Sequence, residues 1–469
     1  MKKIFLILLL LIVSSLGYSQ NTITISSITI TGNKITKEDI ILREIAFNKN
    51  SSFTKTDLEQ KIKESKQNIV NLKLFNFVKI SHVIEGNQAK ITIDVTERWY
   101  FWPYPVFAIS ERNFNSWWNE FKASNYSDFS RLNYGLFLNW ENFRGRNELL
   151  QFKIRKGFKE HYLFSYQVPY FNKKKTIGIN TNLQLFRRKK SFYKTENDTL
   201  LYYTNNNKFT TKDYEFNTEI LYRKGVHKTH NLRFHYFLSN VDTIIINKNP
   251  NYLKNGSSSS GSYAKLTYQF ANENRDYIEY PLHGYYLHFE GTKYLKGSSP
   301  VNHFEIIGKA EKHIELKDRF FLGSSFKGKW SSSGYQPYFS QIGFGFDDYV
   351  RGYEYYVVDG QDFWLSKTVL KYALIEKTNF NIPYVKMKQF NKSHYSLYLG
   401  LFSDMGYVID RQTHQGNTLS NSLLWGNGIS LDYVTYYDKL LRIEFSVNHL
   451  GEKGVFLHFS NPFGSKNKL

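Results

Sequence analysis

From Trp99 to the end of the chain, apolar and polar residues alternate in segments of roughly ten residues, separated by Asn, Gly, Ser and Lys. In ELLQFKIRKG, Leu150, Phe152 and Ile154 share one face, while Gln151, Lys153 and Arg155 share the other. IGINTNLQL sets Ile177, Ile179, Leu183 and Leu185 against Gly178, Asn180, Asn182 and Gln184. AKLTYQF and LRIEFSVN repeat the pattern, the latter with Arg442, Glu444, Ser446 and Asn448 on its polar face. A period of two is that of a β-strand, and little helical periodicity interrupts it. About sixteen such segments are expected, an even number as a bacterial barrel needs. They begin near Phe101, Leu132, Glu148, His161, Thr176, Tyr214, Asn231, Tyr263, Tyr285, His303, Phe320, Phe363, Ser396, Gly428, Leu441 and Val455. The longest interruptions fall around residues 190–210, 241–262 and 331–362, and the middle one holds the run GSSSSG.

Residues 21–98 follow another pattern. ISSITITGN alternates as a strand and ends in a Gly-Asn turn. Thr36 with Asp39 predicts a capped short helix, and Thr54 with Asp57 a longer one. On the second helix Leu58, Ile62, Ile69 and Leu72 form an apolar stripe with Ser65 in its middle. Two strands, FVKISHVIEG and QAKITIDVTER, then flank a turn at Gly86 and Asn87. The predicted order is β-α-α-β-β, a small α+β unit.

Alternation alone does not say whether the apolar face meets a core, as in a soluble sandwich, or lipid, as in a membrane barrel. Composition decides. Aromatics make up 18% of the 469 residues, with 36 Tyr and 39 Phe, yet mean hydropathy is negative. Beyond the N-terminus no run approaches the ~18 apolar residues of a membrane helix. A transmembrane barrel satisfies both facts, because only alternate residues face lipid and aromatic belts mark the interfaces. Trp99, Trp102, Trp117 and Trp118 suit such a belt. The start of the chain, with Lys2 and Lys3, an apolar run from Ile4 to Val13, and small residues Gly17 and Ser19, reads as an export signal over residues 1–19. With no cysteine there is no disulfide and no thiolate chemistry. The net charge of +21 is spread along alternating strands, which fits a basic lumen and loops near anionic lipid and argues against a nucleic-acid partner.

The N-terminal order resembles a POTRA module. The TGN turn with Gly32, and the run NLKLFNFVKI with Asn71, Leu72, Phe75 and Val78, carry the likeness. Those apolar residues read as core, and such a module acts through an exposed strand edge by β-augmentation. A sharper likeness lies at Val350, Arg351, Gly352 and Tyr353, between the eleventh and twelfth predicted strands. This VRGY resembles the sixth-loop motif of the barrel-assembly superfamily of BamA, TamA and the two-partner secretion transporters. In that family the loop folds into the lumen and its arginine meets inward acids on strands thirteen and fourteen. Parity supplies two candidates. Asp404 lies opposite in phase to Leu397, Leu399 and Leu401, within the F-x-D-x-G pattern of Phe402, Asp404 and Gly406. Asp432 is opposite in phase to Ile429, Leu431 and Tyr433. The final segment, with Val455, Leu457, Phe459 and Phe463, resembles the family's aromatic-ended last strand, although GSKNKL follows it.

The expectation is a mainly β chain: a leader (1–19), one POTRA-like domain (21–98) and a barrel (99–469). The resemblance implies an outer-membrane protein with a periplasmic N-terminal domain that inserts unfolded or nascent barrel clients, with accessory assembly proteins as further partners. The alternative is a two-partner exporter, which usually carries a plug helix and two POTRA modules. No catalytic role, cofactor or metal is expected, since G-x-S-x-G, H-E-x-x-H and a Gly-rich phosphate loop are all missing from the sequence. His227, His230 and His235 read as polar lumen or loop residues, and Asp347 and Asp348 as caps of the loop before VRGY.

Overall fold

The computed structural model describes residues 22–109, 114–127, 132–205, 207–253, 258–299, 301–332, 336–387, 389–412, 416–437, 439–460 and 462–463. The expected leader and the GSKNKL tail lie outside them. The chain divides into two compact units, Met1–Glu97 and Arg98–Leu469.

In the first unit β1 (Ile23–Thr31), α1 (Glu38–Leu42), β2 (Ser52–Phe53), α2 (Lys55–Asn71), β3 (Phe75–Glu85) and β4 (Gln88–Glu97) follow in order. The sheet runs β2-β1-β4-β3, with β1 parallel to β4. The short β2 between the helices is an element the periodicity did not reveal. Gly32 turns the chain at φ +86, and a Cβ there would meet the carbonyl oxygen of Val95. Leu58 and Ile69 of α2 are buried with Phe75 and Val78. Ser65 interrupts the stripe without cost, since its hydroxyl donates to the Lys61 carbonyl at 2.7 Å and accepts from the Ala46 N–H at 2.8 Å. Thr54 caps α2 as expected, accepting from the Asp57 N–H. Helix α1 begins one residue later than a cap at Thr36 would place it. The N-cap of α1 is Lys37, with no side-chain cap bond. The N–H groups of Ile35 and Thr36 instead donate to the buried Glu97 carboxylate at 3.0 and 2.6 Å.

The second unit is one sheet of sixteen antiparallel strands. Its first part comprises β5 (Phe101–Ile109), β6 (Leu132–Phe143), β7 (Glu148–Gly157), β8 (Lys159–Val168) and β9 (Ile177–Arg188). A hairpin of β10 (Lys190–Glu196) and β11 (Thr199–Thr204) stands apart from the wall. The wall resumes with β12 (Thr211–Tyr222), β13 (Lys228–Val241), β14 (Ser260–Glu273), β15 (Gly284–Lys296), β16 (Phe304–Lys317) and β17 (Phe320–Ser331). A second small pair, β18 (Ile342–Phe344) and β19 (Val358–Asp359), lies within the next connection. The last five wall strands are β20 (Asp362–Asn381), β21 (Lys392–Ile409), β22 (Leu423–Thr435), β23 (Lys439–Asn448) and β24 (Lys453–His458). Two helices interrupt the strands, α3 (Phe114–Ala123) and α4 (Thr243–Lys248). Trp117 and Trp118 belong to α3 and so are not wall residues.

The two faces of this sheet invert the soluble arrangement. Leu399, Leu401, Ile429, Leu431, Ile443 and Phe445 are exposed, while Asp404, Asp432, Arg442 and Glu444 are buried. Water would drive the first group inward; hydrocarbon outside the wall accounts for both.

Among the described residues no ladder joins β5 to β24. Side chains span this join instead. Trp102 packs edge-on against Tyr437 at 5.5 Å, and the Tyr437 hydroxyl accepts from the Trp99 N–H at 3.1 Å. Farther along, the amide of Asn115 in α3 treats Leu457 as a strand would. It accepts from the Leu457 N–H at 3.1 Å and donates to the Leu457 carbonyl at 3.3 Å.

Replacing Glu97 with Ala leaves the Ile35 and Thr36 donors without their acceptor and is expected to cost about 1–3 kcal/mol. Hydrogen exchange should speed up over residues 35–42 and stay unchanged in the wall strands.

Candidate functional site

The connection between β17 and β20 enters the inner side of the wall, and apolar contacts seat it. Phe344, Val350, Tyr353 and Val358 of the loop pack with Phe363, Leu365, Val408 and Leu424 of the wall, and with Leu419. Two glycines make the approach possible. A Cβ on Gly426 would overlap the carbonyl oxygen of Arg351, and one on Gly406 would press on Phe344 and Val350. The third residue of the F-x-D-x-G pattern is therefore the space that Val350 occupies.

Arg351 is 1% exposed. Its Nε donates to Asp404 Oδ2 at 2.7 Å and its Nη2 to Asp404 Oδ1 at 2.5 Å, a bidentate pair. The backbone N–H of Arg351 also reaches Asp404 Oδ2, at 3.3 Å. Its guanidinium carbon sits 3.7 Å from the Phe402 ring centroid, a cation–π contact. Gly352 donates its N–H to Glu354 and accepts from the Asn448 amide at 3.0 Å. Tyr353 reaches His449 through its hydroxyl. All four residues of the tetrapeptide thus have defined contacts.

Asp432 requires a correction. It was assigned to Arg351, but Arg442 holds it, through Nε–Oδ1 at 2.7 Å and Nη2–Oδ2 at 2.9 Å, with the Tyr280 hydroxyl on Oδ2. Register explains this. On β22 the residue opposite Asp404 is Gly426, whereas Asp432 lies opposite Tyr398 and, on β23, Arg442. Six residues along a strand separate the two acids, about 20 Å. The second carboxylate near Arg351 is Glu444, at 3.5 Å from Nη1. Parity had put Glu444 on the inner face, but no spacing singled it out.

The C-terminal segment also departs from expectation. Val455 and Phe459 face outward, 68% and 64% exposed, but β24 stops at His458. Phe463 lies inside, buried with Val369 and Phe402, and its carbonyl accepts from Lys309. The histidines His227, His230 and His235 have separate partners, the Glu273 carbonyl, the Tyr268 hydroxyl and the Glu215 carboxylate. Asp348 pairs with Lys327 at 2.6 Å.

Removing either member of the Arg351–Asp404 pair leaves a buried charge without its counterpart. Arg351→Ala and Asp404→Ala are each expected to cost about 3–5 kcal/mol, and the double substitution less than their sum. Thermal unfolding in detergent measures this, and limited proteolysis should cut the loop over residues 336–361 faster in both variants.

Comparison with known proteins places these features. Residues 23–98 match the family POTRA, surface antigen variable number repeat, and residues 142–447 match the Omp85 superfamily domain. No curated protein matches the sequence. Among solved structures, BamA from Haemophilus ducreyi lacking POTRA domains 1–3 has the same fold. Its TM-score is 0.52 at 14% identity, over 93% of this chain and 83% of that one. CdiB from Escherichia coli is similar at TM-score 0.52 and 11% identity, over 93% and 75%. With more than half its length in the Omp85 domain, a POTRA match ahead of it and a sixteen-stranded sheet behind, the chain belongs to the Omp85 superfamily of BamA-type outer-membrane proteins.

Proposed function

We propose that this protein assembles other barrels in the bacterial outer membrane without enzymatic chemistry. Its N-terminal unit, on the periplasmic side, captures unfolded clients by their extended segments. The join between β5 and β24 then presents a strand edge on which a client strand pairs before entering lipid. One observation carries this reading: among the described residues β24 has no strand neighbour at the join, and the side chain of Asn115 bonds both backbone groups of Leu457. An edge held by side chains is released at lower cost than a ladder, since each net hydrogen bond is worth about 0.5–1.5 kcal/mol. The interior favours the wall over the lumen as the route. A chain passing through the lumen must break the buried Arg351–Asp404 pair and expose the apolar seat of the loop, whereas the join, among the described residues, is held by side chains such as Asn115, Trp99 and Trp102. Accessory assembly proteins fit the same role. Dedicated export of one partner protein is the second reading, supported by the fold likeness to CdiB.

The test is the rate at which an unfolded test barrel inserts into liposomes holding the purified protein. Wild type should accelerate insertion and Arg351→Ala should not. Asn115→Ala should expose the β24 edge and match or exceed wild type. Failure to accelerate any of several clients would discard assembly in favour of export.

A further inference from the structure

Three side chains from separate elements converge where the loop meets the last two wall strands. Glu354 follows the VRGY tetrapeptide, Glu444 stands on β23, and His458 ends β24. Glu354 Oε1, Glu444 Oε2 and His458 Nε2 all lie within 4.8 Å of one another. The imidazole nitrogen is 3.6 Å from the Glu354 oxygen and 3.3 Å from the Glu444 oxygen. Those separations are long for N–H···O bonds, whose usual range is about 2.7–3.2 Å. They match the spacing of neighbouring ligands around one ion with bonds of about 2.0–2.2 Å, roughly 3.3–3.6 Å in a tetrahedral site.

Each of the three is also oriented through its other polar atom, leaving one donor atom aimed at the common centre. Glu354 Oε2 accepts the Gly352 N–H at 2.9 Å. Glu444 Oε1 faces Arg351 and Arg442 at 3.5 and 3.4 Å. His458 Nδ1 is 3.4 Å from the Tyr349 hydroxyl. Such outer partners are what fix ligand geometry in metal sites. Glu444 is 1% exposed, yet its Oε2 makes no hydrogen bond, and neither does His458 Nε2.

We propose that Glu354, Glu444 and His458 bind one divalent transition ion of the zinc class, with water completing its coordination. Two carboxylates and one imidazole suit such an ion. The ion ties the edge strand β24 to β23 and to the clasped loop. A proton on His458 is the alternative occupant, and the two are separable by experiment.

Tag-free full-length protein in detergent, stripped with a chelator, is titrated with zinc by calorimetry. One equivalent per chain is expected, with a rise in the thermal unfolding midpoint. Tyr349→Phe should weaken binding about 10-fold by loosening the imidazole. His458→Gln and Glu354→Gln should abolish the equivalent and the midpoint shift while the far-UV strand signal stays intact. Cobalt in place of zinc should develop a visible absorption band in wild type and in neither Gln variant. Absence of binding, or binding unchanged in both Gln variants, overturns the proposal and leaves the proton as occupant.

Discussion

A sheet that crosses hydrocarbon has to pair its own backbone, because a bare N–H or C=O costs several kcal/mol there. Sixteen antiparallel strands meet this demand with a ladder between each pair of neighbours, bulged between β6 and β7, β16 and β17, and β20 and β21, and among the described residues no ladder closes the join of β5 and β24. What happens at that join follows from the same demand. Asn115 supplies a donor and an acceptor to Leu457, and Trp99 and Trp102 anchor to Tyr437. β24 ends at His458, and Phe463 lies in an apolar site inside against Val369 and Phe402.

Inside the wall, two kinds of interaction divide the work of holding the loop. Full burial of a side chain such as Val350 is worth about 1.5–3 kcal/mol, and the loop contributes several buried apolar groups to one cluster. The Arg351–Asp404 pair adds little net stability by comparison, because desolvating both charges offsets most of their attraction. Its contribution is position. Two parallel bonds to one carboxylate, with Phe402 beneath the guanidinium, fix a single depth and rotation for the loop. Apolar contacts alone would tolerate a sliding fit.

Much of this was readable along the chain because the signals are local. The strand period follows from backbone pleat, so all sixteen wall strands appear near their expected starts, the poorest match being β22, which begins at Leu423 and not at Gly428. Parity likewise put Asp404 and Glu444 on the inner face. Charge partners were decided by non-local contacts. Glu97, 61 residues along the chain, accepts the Thr36 N–H ahead of helix α1. Arg442 claimed Asp432 because strand register set them opposite each other. Helix α3 is short and its aromatic residues imitate a belt, so Trp117 and Trp118 looked like wall residues.

By itself the sequence determined the architecture: alternation, aromatic content, the VRGY tetrapeptide and the F-x-D-x-G strand are properties of neighbouring residues, and neighbours dictate pleat, face and turn. Only the tertiary structure decided which charges meet. Arg351 and Asp404 are 53 residues apart, and Glu354, Glu444 and His458 come from three elements with no common spacing. Their meeting depends on the stagger of four strands and the depth of one loop. Both are set by backbone pairing and packing summed over the whole wall, which no short stretch of chain encodes.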